Sequence, residues 1–244
     1  MMIKDEKMTL SFVSLKEMDS FNRPTGRNAS GCIVEYNKTK FLLTVFHAVG
    51  EGKWALCLWW DNAKKVVKSY LLNNLTFLTE IDLKSLNISQ VDFAVQLINE
   101  ENIEPYFQVV DINGTIKYEN KITIHNVNFD VEPSEKQLYS FAGLTQSQKI
   151  ERKNQNDIIK QRVTVVKNMK FIKKIDGGNI YVFKLPHPYI DHKFYKGCSG
   201  APILDQYDNI VALVIEGNKE TDEIYGINMN KFKLILDIES GAIK

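Results

Sequence analysis

Residues 197–202 read Gly-Cys-Ser-Gly-Ala-Pro and lead through an apolar pair and a polar turn into an apolar run at 210–215. A serine that attacks a carbonyl carbon needs a loop of small residues around it and backbone N–H groups aimed at the developing oxyanion. Gly197 and Gly200 give the loop around Ser199 that freedom, because glycine reaches backbone angles that other residues avoid. The stretch therefore predicts a nucleophile loop, with a plain glycine turn between two strands as the alternative.

Two other segments carry side chains that would serve such a nucleophile. His47 follows the apolar run 41–46, where the end of a strand would hold a general base in place, and Asp92 opens the apolar run 92–98. Taken singly, each has an ordinary interpretation, as a histidine in the core or at its rim and as an aspartate in a strand-end turn. Together with Ser199 they form a candidate catalytic set.

Most of the remaining chain consists of short apolar or alternating runs, rich in Val, Ile, Tyr and Phe and broken by Asn, Asp, Gly and Lys. Such runs fit a pleated, half-buried surface, and their regular spacing predicts an all-β barrel or sandwich. From Met229 onward apolar residues recur at helical spacing, which predicts a helix at about 229–239 that covers the barrel. The predicted strands are 31–36, 40–44, 54–60, 66–71, 92–98, 121–127, 138–142, 163–166, 180–184 and 210–215.

Composition restricts the partners and the compartment. The chain has 244 residues, 44% of them hydrophobic, and a net charge of +1, so we expect a globular protein with no nucleic-acid partner. No apolar stretch has the length of a signal peptide or a membrane span, so no membrane association is expected. The three cysteines, Cys32, Cys57 and Cys198, are too few for a disulfide framework and predict free thiols in a reducing cytoplasm. We expect no cofactor and no metal, since the spacing of His187, His192 and Cys198 fits no compact zinc signature.

The three chemical segments resemble the signature blocks of trypsin-like (chymotrypsin-fold) serine peptidases, in that family's order of His, Asp and Ser. The separations of 45 and 107 residues are compatible with two successive barrels, and Gly-Cys-Ile-Val at 31–34 resembles the opening of the first. The resemblance covers roughly residues 30–228. It implies two six-stranded antiparallel β-barrels with a C-terminal helix: residues 1–105 would carry His47 and Asp92, and residues 106–244 would carry Ser199. The polar stretch 99–106 is the expected crossover.

The resemblance also implies a role for each residue. Ser199 would be the nucleophile, His47 the general base and then the general acid, and Asp92 the group that holds the imidazole tautomer. The N–H groups of Gly197 and Ser199 would form the oxyanion hole. The implied reaction is cleavage of peptide bonds in a protein or peptide substrate through an acyl-enzyme intermediate, with ester hydrolysis as another use of the same groups.

Substrate recognition is implied at two places. The strand that contains Val214, Ile215, Glu216 and Gly217 is similar to the one that pairs with the substrate backbone in this family. Lys193 lies six residues before the serine, where the family often places a pocket-floor residue. An inward-pointing lysine would favour acidic P1 side chains, and a surface lysine is the alternative.

One position departs from the pattern of the secreted family members. They carry an Asp immediately before the nucleophile, which pairs with a freshly cleaved amino terminus, whereas this chain has Cys198. The chain therefore resembles the bacterial and viral branches, in which we expect no activation by cleavage at the amino terminus. The register glycine-x-nucleophile-glycine-x-proline selects Ser199 over Cys198 as the attacking residue. The resemblance further implies a cytoplasmic bacterial protease that acts in stress or antiphage defence and is either held inactive by a disordered oxyanion loop or activated by a protein partner. The alternative is a catalytically silent module of this fold that binds extended peptides.

Overall fold

A computed structural model describes residues 5–61, 66–82, 87–98, 105–110, 116–125, 127–145, 148–150, 158–160 and 162–243. Two β-sheet units make up most of this structure. The strands of the first unit are β1 (Val13–Met18), β2 (Pro24–Tyr36), β3 (Thr39–Thr44), β4 (Lys53–Asp61), β5 (Val66–Leu72), β6 (Thr76–Asp82) and β7 (Asn87–Ile98). The connecting segment contributes a hairpin of β8 (Tyr106–Val110) and β9 (Ile116–Asn120), followed by β10 (Ile124–His125). The remaining strands are β11 (Leu138–Leu144), β12 (Gln148–Ile150), β13 (Ile158–Lys160), β14 (Val163–Ile175), β15 (Ile180–Lys184), β16 (Pro202–Asp205), β17 (Ile210–Asn218) and β18 (Glu223–Asn228).

The first unit is a sheet with the strand order β5-β4-β1-β2-β3-β7-β6, to which β10 adds in parallel alongside β2. Its long strand β2 serves both halves of the sheet, because residues 24–31 pair with β1 and residues 32–36 pair with β3. Gly31 lies at the changeover, where an added Cβ would come within 2.7 Å of the Leu43 carbonyl oxygen. Among the described residues β5 and β6 do not pair with each other. This unit is therefore an open half-barrel, whereas the family resemblance implies a closed six-stranded barrel.

The second unit is the closed six-stranded barrel that the sequence predicts, with the order β11-β14-β15-β18-β17-β16. Alternate side chains of each strand point inward and fill the barrel. Phe141 on β11, Phe183 on β15 and Val211 on β17 are all completely buried. The two short strands β12 and β13 form a separate hairpin.

The described part of the chain contains three α-helices, which pack on these sheets: α1 (Asp5–Ser11), α2 (Phe46–Val49) and α3 (Asn230–Glu239). The sequence does not predict α1, which packs with Met8 and Phe12 against β11 of the second unit. The predicted C-terminal helix is confirmed as α3, and its Phe232 ring lies 4.2 Å from that of Phe93 on β7. The last element of the chain therefore returns to the first unit and supports the strand that carries Asp92.

The predicted domain boundary between residues 105 and 106 stays a prediction. One element before this boundary lies against the second unit, and one element after it lies against the first. Helix α1 lies with the second unit and strand β10 with the first. The predicted strand at 121–127 is reduced to the two residues of β10, and most of the predicted crossover at 99–106 lies outside the described residues.

A search of the described helices finds none whose length and apolar character would let it cross a membrane.

Candidate active site

The Ser199 loop connects the turn after the 3₁₀ helix His192–Phe194 to strand β16. Positive φ angles at Gly197 (101°) and Gly200 (87°) bend the backbone on both sides of the serine. The Gly200 amide donates to the Val214 carbonyl at 2.8 Å, which fixes the loop against β17. In the part of the chain that the structure describes, the amides of Gly197 and Ser199 donate to no other group. Both N–H groups are thus available to a ligand oxygen near the serine.

Three side chains form a hydrogen-bonded row beside this loop. His47 Nε2 lies 3.0 Å from Ser199 Oγ, and His47 Nδ1 lies 2.8 Å from Asp92 Oδ2. The other carboxylate oxygen, Asp92 Oδ1, accepts the backbone N–H of His47 at 2.9 Å. Because the carboxylate only accepts, the ring proton belongs on Nδ1, which leaves Nε2 free to accept the serine hydroxyl proton. The His47 side chain is 46% exposed and the Asp92 side chain 32%, so the row is open to a substrate.

The Asp92 side chain lies on the face of β7 opposite to that of its two buried neighbours. The register between β6 and β7 shifts here, so that residues 91–93 of β7 face only Leu78 of β6. The alternation of side chains along β7 nevertheless continues through the shift, because Val91, Phe93 and Val95 all belong to the same core cluster. Val91 and Phe93 are buried in the core, whereas Asp92 between them points toward His47. The sequence places Asp92 at the start of its strand, and the structure places it in the middle of β7.

Cys198 points away from the row, into the core of the second barrel. Its side chain is completely buried and packs against Gly143, where an added Cβ would lie 3.0 Å from Cys198 Sγ. Burial raises the pKa of the Cys198 thiol to about 12, because desolvation disfavours the thiolate. The thiol is therefore neutral at physiological pH and lies outside the open site.

A cavity of about 560 Å³ opens beside the three side chains. It is lined by four of the five predicted substrate-binding residues: Val214, Ile215, Glu216 and Gly217. All four belong to β17, next to Ser199 and Gly197, which also line the cavity.

The structure does not bring the fifth predicted residue, Lys193, to this cavity. Lys193 lies in the 3₁₀ helix His192–Phe194, which Asp191 caps by accepting the Lys193 N–H at 3.1 Å. It lines a different cavity of about 350 Å³, together with Thr164 and Ile190. The expectation for Lys193 assumes that the six residues before the serine follow the path that they have in the resembling family, but here the 3₁₀ helix and the following turn direct the side chain to another cavity. The alternative interpretation of an exposed lysine agrees with the structure.

The cavity is also lined by His192, Tyr195 and Lys196, and by two residues that the sequence did not indicate, Tyr189 and Ile224. The Tyr189 ring stacks on Tyr195 with centroids 4.3 Å apart and lies against Gly217, where an added Cβ would come within 2.7 Å of Tyr189 Cε2. No local sequence pattern predicts this contact, which depends on how the 185–197 segment folds over β17.

The described residues contain no group of three or more His, Cys, Asp or Glu side chains that could hold a metal ion.

The sequence matches no protein-family model and no curated protein. Solved structures do match it. A serine endoprotease from Yersinia pestis has a TM-score of 0.53 at 12% identity, over 96% of this chain and 64% of that one. An inactivated protease paralogue of the scabies mite has a TM-score of 0.56 at 14% identity, over 100% and 97%. The human heparin binding protein has a TM-score of 0.56 at 9% identity, over 96% and 92%.

This protein has the chymotrypsin fold. The chain spans less than two thirds of the Yersinia protein, so that relative's full length is not represented here. At identities of 9–14% the likeness establishes the fold, and the activity has to be argued from the site itself. The inactivated scabies mite paralogue makes the same point, because the chymotrypsin fold also occurs in a protein described as inactivated.

Proposed function

We propose that this chymotrypsin-fold protein is a trypsin-like serine endopeptidase with His47, Asp92 and Ser199 as its catalytic triad. The observation that supports this proposal is the continuous row from Asp92 through His47 to Ser199, with contacts of 2.8 and 3.0 Å. The row stands beside two amides that have no partner among the described residues, those of Gly197 and Ser199. A nucleophile, a base, a group that orients the base and an oxyanion hole are the parts that acyl transfer needs.

The proposed reaction proceeds in two halves. Ser199 Oγ forms a bond to the carbonyl carbon of the scissile peptide while its proton passes to His47 Nε2. The oxyanion accepts hydrogen bonds from the Gly197 and Ser199 amides, and the C–N bond then breaks as His47 gives its proton to the leaving amine. A water molecule, deprotonated by His47, then attacks the ester carbonyl and forms a second tetrahedral intermediate. When this intermediate collapses, the acid is released and His47 returns a proton to Ser199.

The substrate would lie along β17 as an added strand. The backbone of residues 214–217 borders the cavity beside the serine, and an extended peptide binds such a segment through its main chain. Residues Tyr189 and Ile224 bound the same cavity with side chains that are almost completely buried. The peptide side chain that enters beside Ser199 would therefore meet an aromatic and aliphatic wall.

Covalent labelling tests the proposal. Wild-type protein incubated with a fluorophosphonate probe should gain one adduct by intact-mass spectrometry, and Ser199→Ala should gain none. Cys198→Ala should be labelled like wild type, because its thiol is buried away from the row. Labelling that persists in Ser199→Ala and disappears in Cys198→Ala would assign the nucleophile to the cysteine.

The second candidate is a silent module that binds extended peptides, which the inactivated scabies mite paralogue of the same fold makes a concrete alternative. It predicts that a peptide bound along β17 is retained uncleaved and that the wild type takes no adduct. A cytoplasmic location is part of the proposal and is supported by the three free thiols of Cys32, Cys57 and Cys198. Activation by a protein partner and a role in bacterial stress or antiphage defence stay predictions.

A further inference from the structure

Ser30 is a completely buried polar residue on β2, and each of its hydrogen-bonding groups has a partner on another segment. Its N–H donates to the Ser199 carbonyl at 2.9 Å, and its hydroxyl donates to the Gly197 carbonyl at 2.8 Å. The Leu144 amide donates to Ser30 Oγ at 3.0 Å, and Thr44 Oγ1 donates to the Ser30 carbonyl at 2.7 Å. One residue of the first unit thus contacts the nucleophile loop and strand β11 of the second unit.

The direction of the Ser30 hydroxyl proton is fixed by these partners. Ser30 Oγ accepts a hydrogen bond from the Leu144 N–H. The hydroxyl's own proton is therefore donated to the remaining partner, the Gly197 carbonyl. In a site shielded from water, such hydrogen bonds are stronger than at the surface, and a missing partner is costly. The carbonyl of Gly197 is therefore held in one direction.

The two carbonyls that Ser30 holds belong to the residues whose amides are the proposed oxyanion hole. Gly197 has no side chain to restrict its backbone, and its φ of 101° is one of several regions that glycine occupies freely. The peptide that follows Gly197 carries the Gly197 carbonyl and the Cys198 N–H, which donates to the Tyr195 carbonyl at 2.9 Å. Rotation of this peptide would change the backbone angles of Gly197 and Cys198 and would therefore reorient the two flanking peptides, which carry the Gly197 and Ser199 N–H groups. The adjacent Cys198 is buried and neutral, so no ion pair at that position fixes the loop.

We propose that Ser30 is a positioning residue, which holds the Gly197–Ser199 loop in the conformation that forms the oxyanion hole. The inference rests on the proposed peptidase function. It assigns control of the loop geometry to the first unit, through one hydroxyl and one amide, although the loop itself belongs to the second.

Ser30→Ala tests the inference, because it removes the hydroxyl and leaves the Gly197 carbonyl and the Leu144 amide buried without their partner. We expect kcat for a peptide substrate to fall about 10- to 100-fold, less than the 10²–10³-fold typical when an oxyanion donor is deleted. KM should stay within about twofold, because the β17 strand and the cavity walls are unchanged. Ser30→Cys, which keeps a weak donor of similar shape, should recover part of kcat.

The matched control is Ser140→Ala, which removes another buried hydroxyl, from strand β11 of the second barrel. It should leave kcat unchanged when all variants are assayed well below their unfolding temperatures. A wild-type kcat in Ser30→Ala, or an equal loss in Ser140→Ala, would overturn the assignment. If Ser30→Ala does not fold, Ser30→Cys provides the comparison with the wild type.

A crystal structure of Ser30→Ala, or of Ser30→Cys, tests the inference without relying on activity. We expect the carbonyl of Gly197 to turn away from the direction in which it meets Ser30 in the wild type. An unchanged loop in the variant would refute the positioning role even if the wild type were active. A wild type that takes no fluorophosphonate adduct would count against the peptidase proposal, and the loop comparison would still decide whether Ser30 positions these residues.

Discussion

Substitution of Gly200 by alanine is the sharpest test of how tightly the two units meet at the site. An added Cβ would lie 2.1 Å from the Ser30 carbonyl oxygen and 2.4 Å from Thr44 Oγ1. Ordinary van der Waals contact begins near 3.4 Å, so the loop and strand β2 would have to separate by about 1 Å. Neither neighbour is the free end of a flexible chain, because one is backbone and the other is hydrogen-bonded to it.

A displacement of about 1 Å beside the nucleophile costs on the order of 10²-fold in rate. We therefore expect the rate of fluorophosphonate labelling and kcat/KM of Gly200→Ala to fall about 100-fold. The free energy of unfolding should fall by about 2–5 kcal/mol, the sum of overpacking and of a positive φ of 87° at a residue with a Cβ. Urea unfolding followed by tryptophan fluorescence measures the second quantity.

Gly178→Ala is the matched control. Gly178 has a similar φ of 94°, but an added Cβ there would meet no atom within 4 Å. This variant should lose about 1–2 kcal/mol from backbone strain alone and keep the wild-type labelling rate. If Gly200→Ala labels at the wild-type rate and loses no more stability than Gly178→Ala, the reasoning about the collision is refuted.

Three other predictions follow from the site. Asp92→Asn should lower kcat by about 10⁴-fold in a peptide hydrolysis assay, because an amide would no longer hold the His47 tautomer that accepts the serine proton. Native protein should take up no iodoacetamide at Cys198 at pH 8 by intact mass, since a pKa of about 12 leaves only about one thiolate in 10⁴, whereas urea-unfolded protein should react. Tyr189→Ala should broaden cleavage of a peptide library toward larger P1 side chains, because it removes the ring that lies against Gly217.

Each of these predictions has a result that contradicts it. Activity of Asp92→Asn within tenfold of the wild type would mean that the carboxylate does not orient the base. Alkylation of native Cys198 at the rate of the unfolded chain would mean that the thiol is not enclosed. A P1 profile unchanged by Tyr189→Ala would place the P1 side chain elsewhere in the cavity.

Local patterns in the sequence predict the C-terminal helix and the segments that carry the triad candidates, whereas the second barrel is implied by the resemblance to chymotrypsin-fold peptidases. A glycine-flanked serine, a histidine after an apolar run and an aspartate beside one can all be found without knowing what they contact. The positions of Lys193 and Ser30 could not be predicted in this way. Lys193 is turned aside by a 3₁₀ helix that Asp191 caps, and Ser30 meets Gly197 across 167 residues of chain. Contacts of this kind are set by the way the strands pair, which a single sequence does not display.

The site depends on the junction of the two units more than on either unit alone. His47 and Asp92 come from the first unit and Ser199 from the second. The 3.0 Å contact between His47 Nε2 and Ser199 Oγ therefore exists only while the two units keep their relative position. The hydrogen bond from Ser30 to Gly197 holds the two units together next to the loop. The packing of Phe232 of α3 against Phe93 of β7 is a second contact that holds them together. Local opening needs less free energy than global unfolding. A small separation at the junction would therefore break the row of hydrogen bonds before either sheet unfolds, and loss of labelling should precede the loss of β-structure as urea is raised.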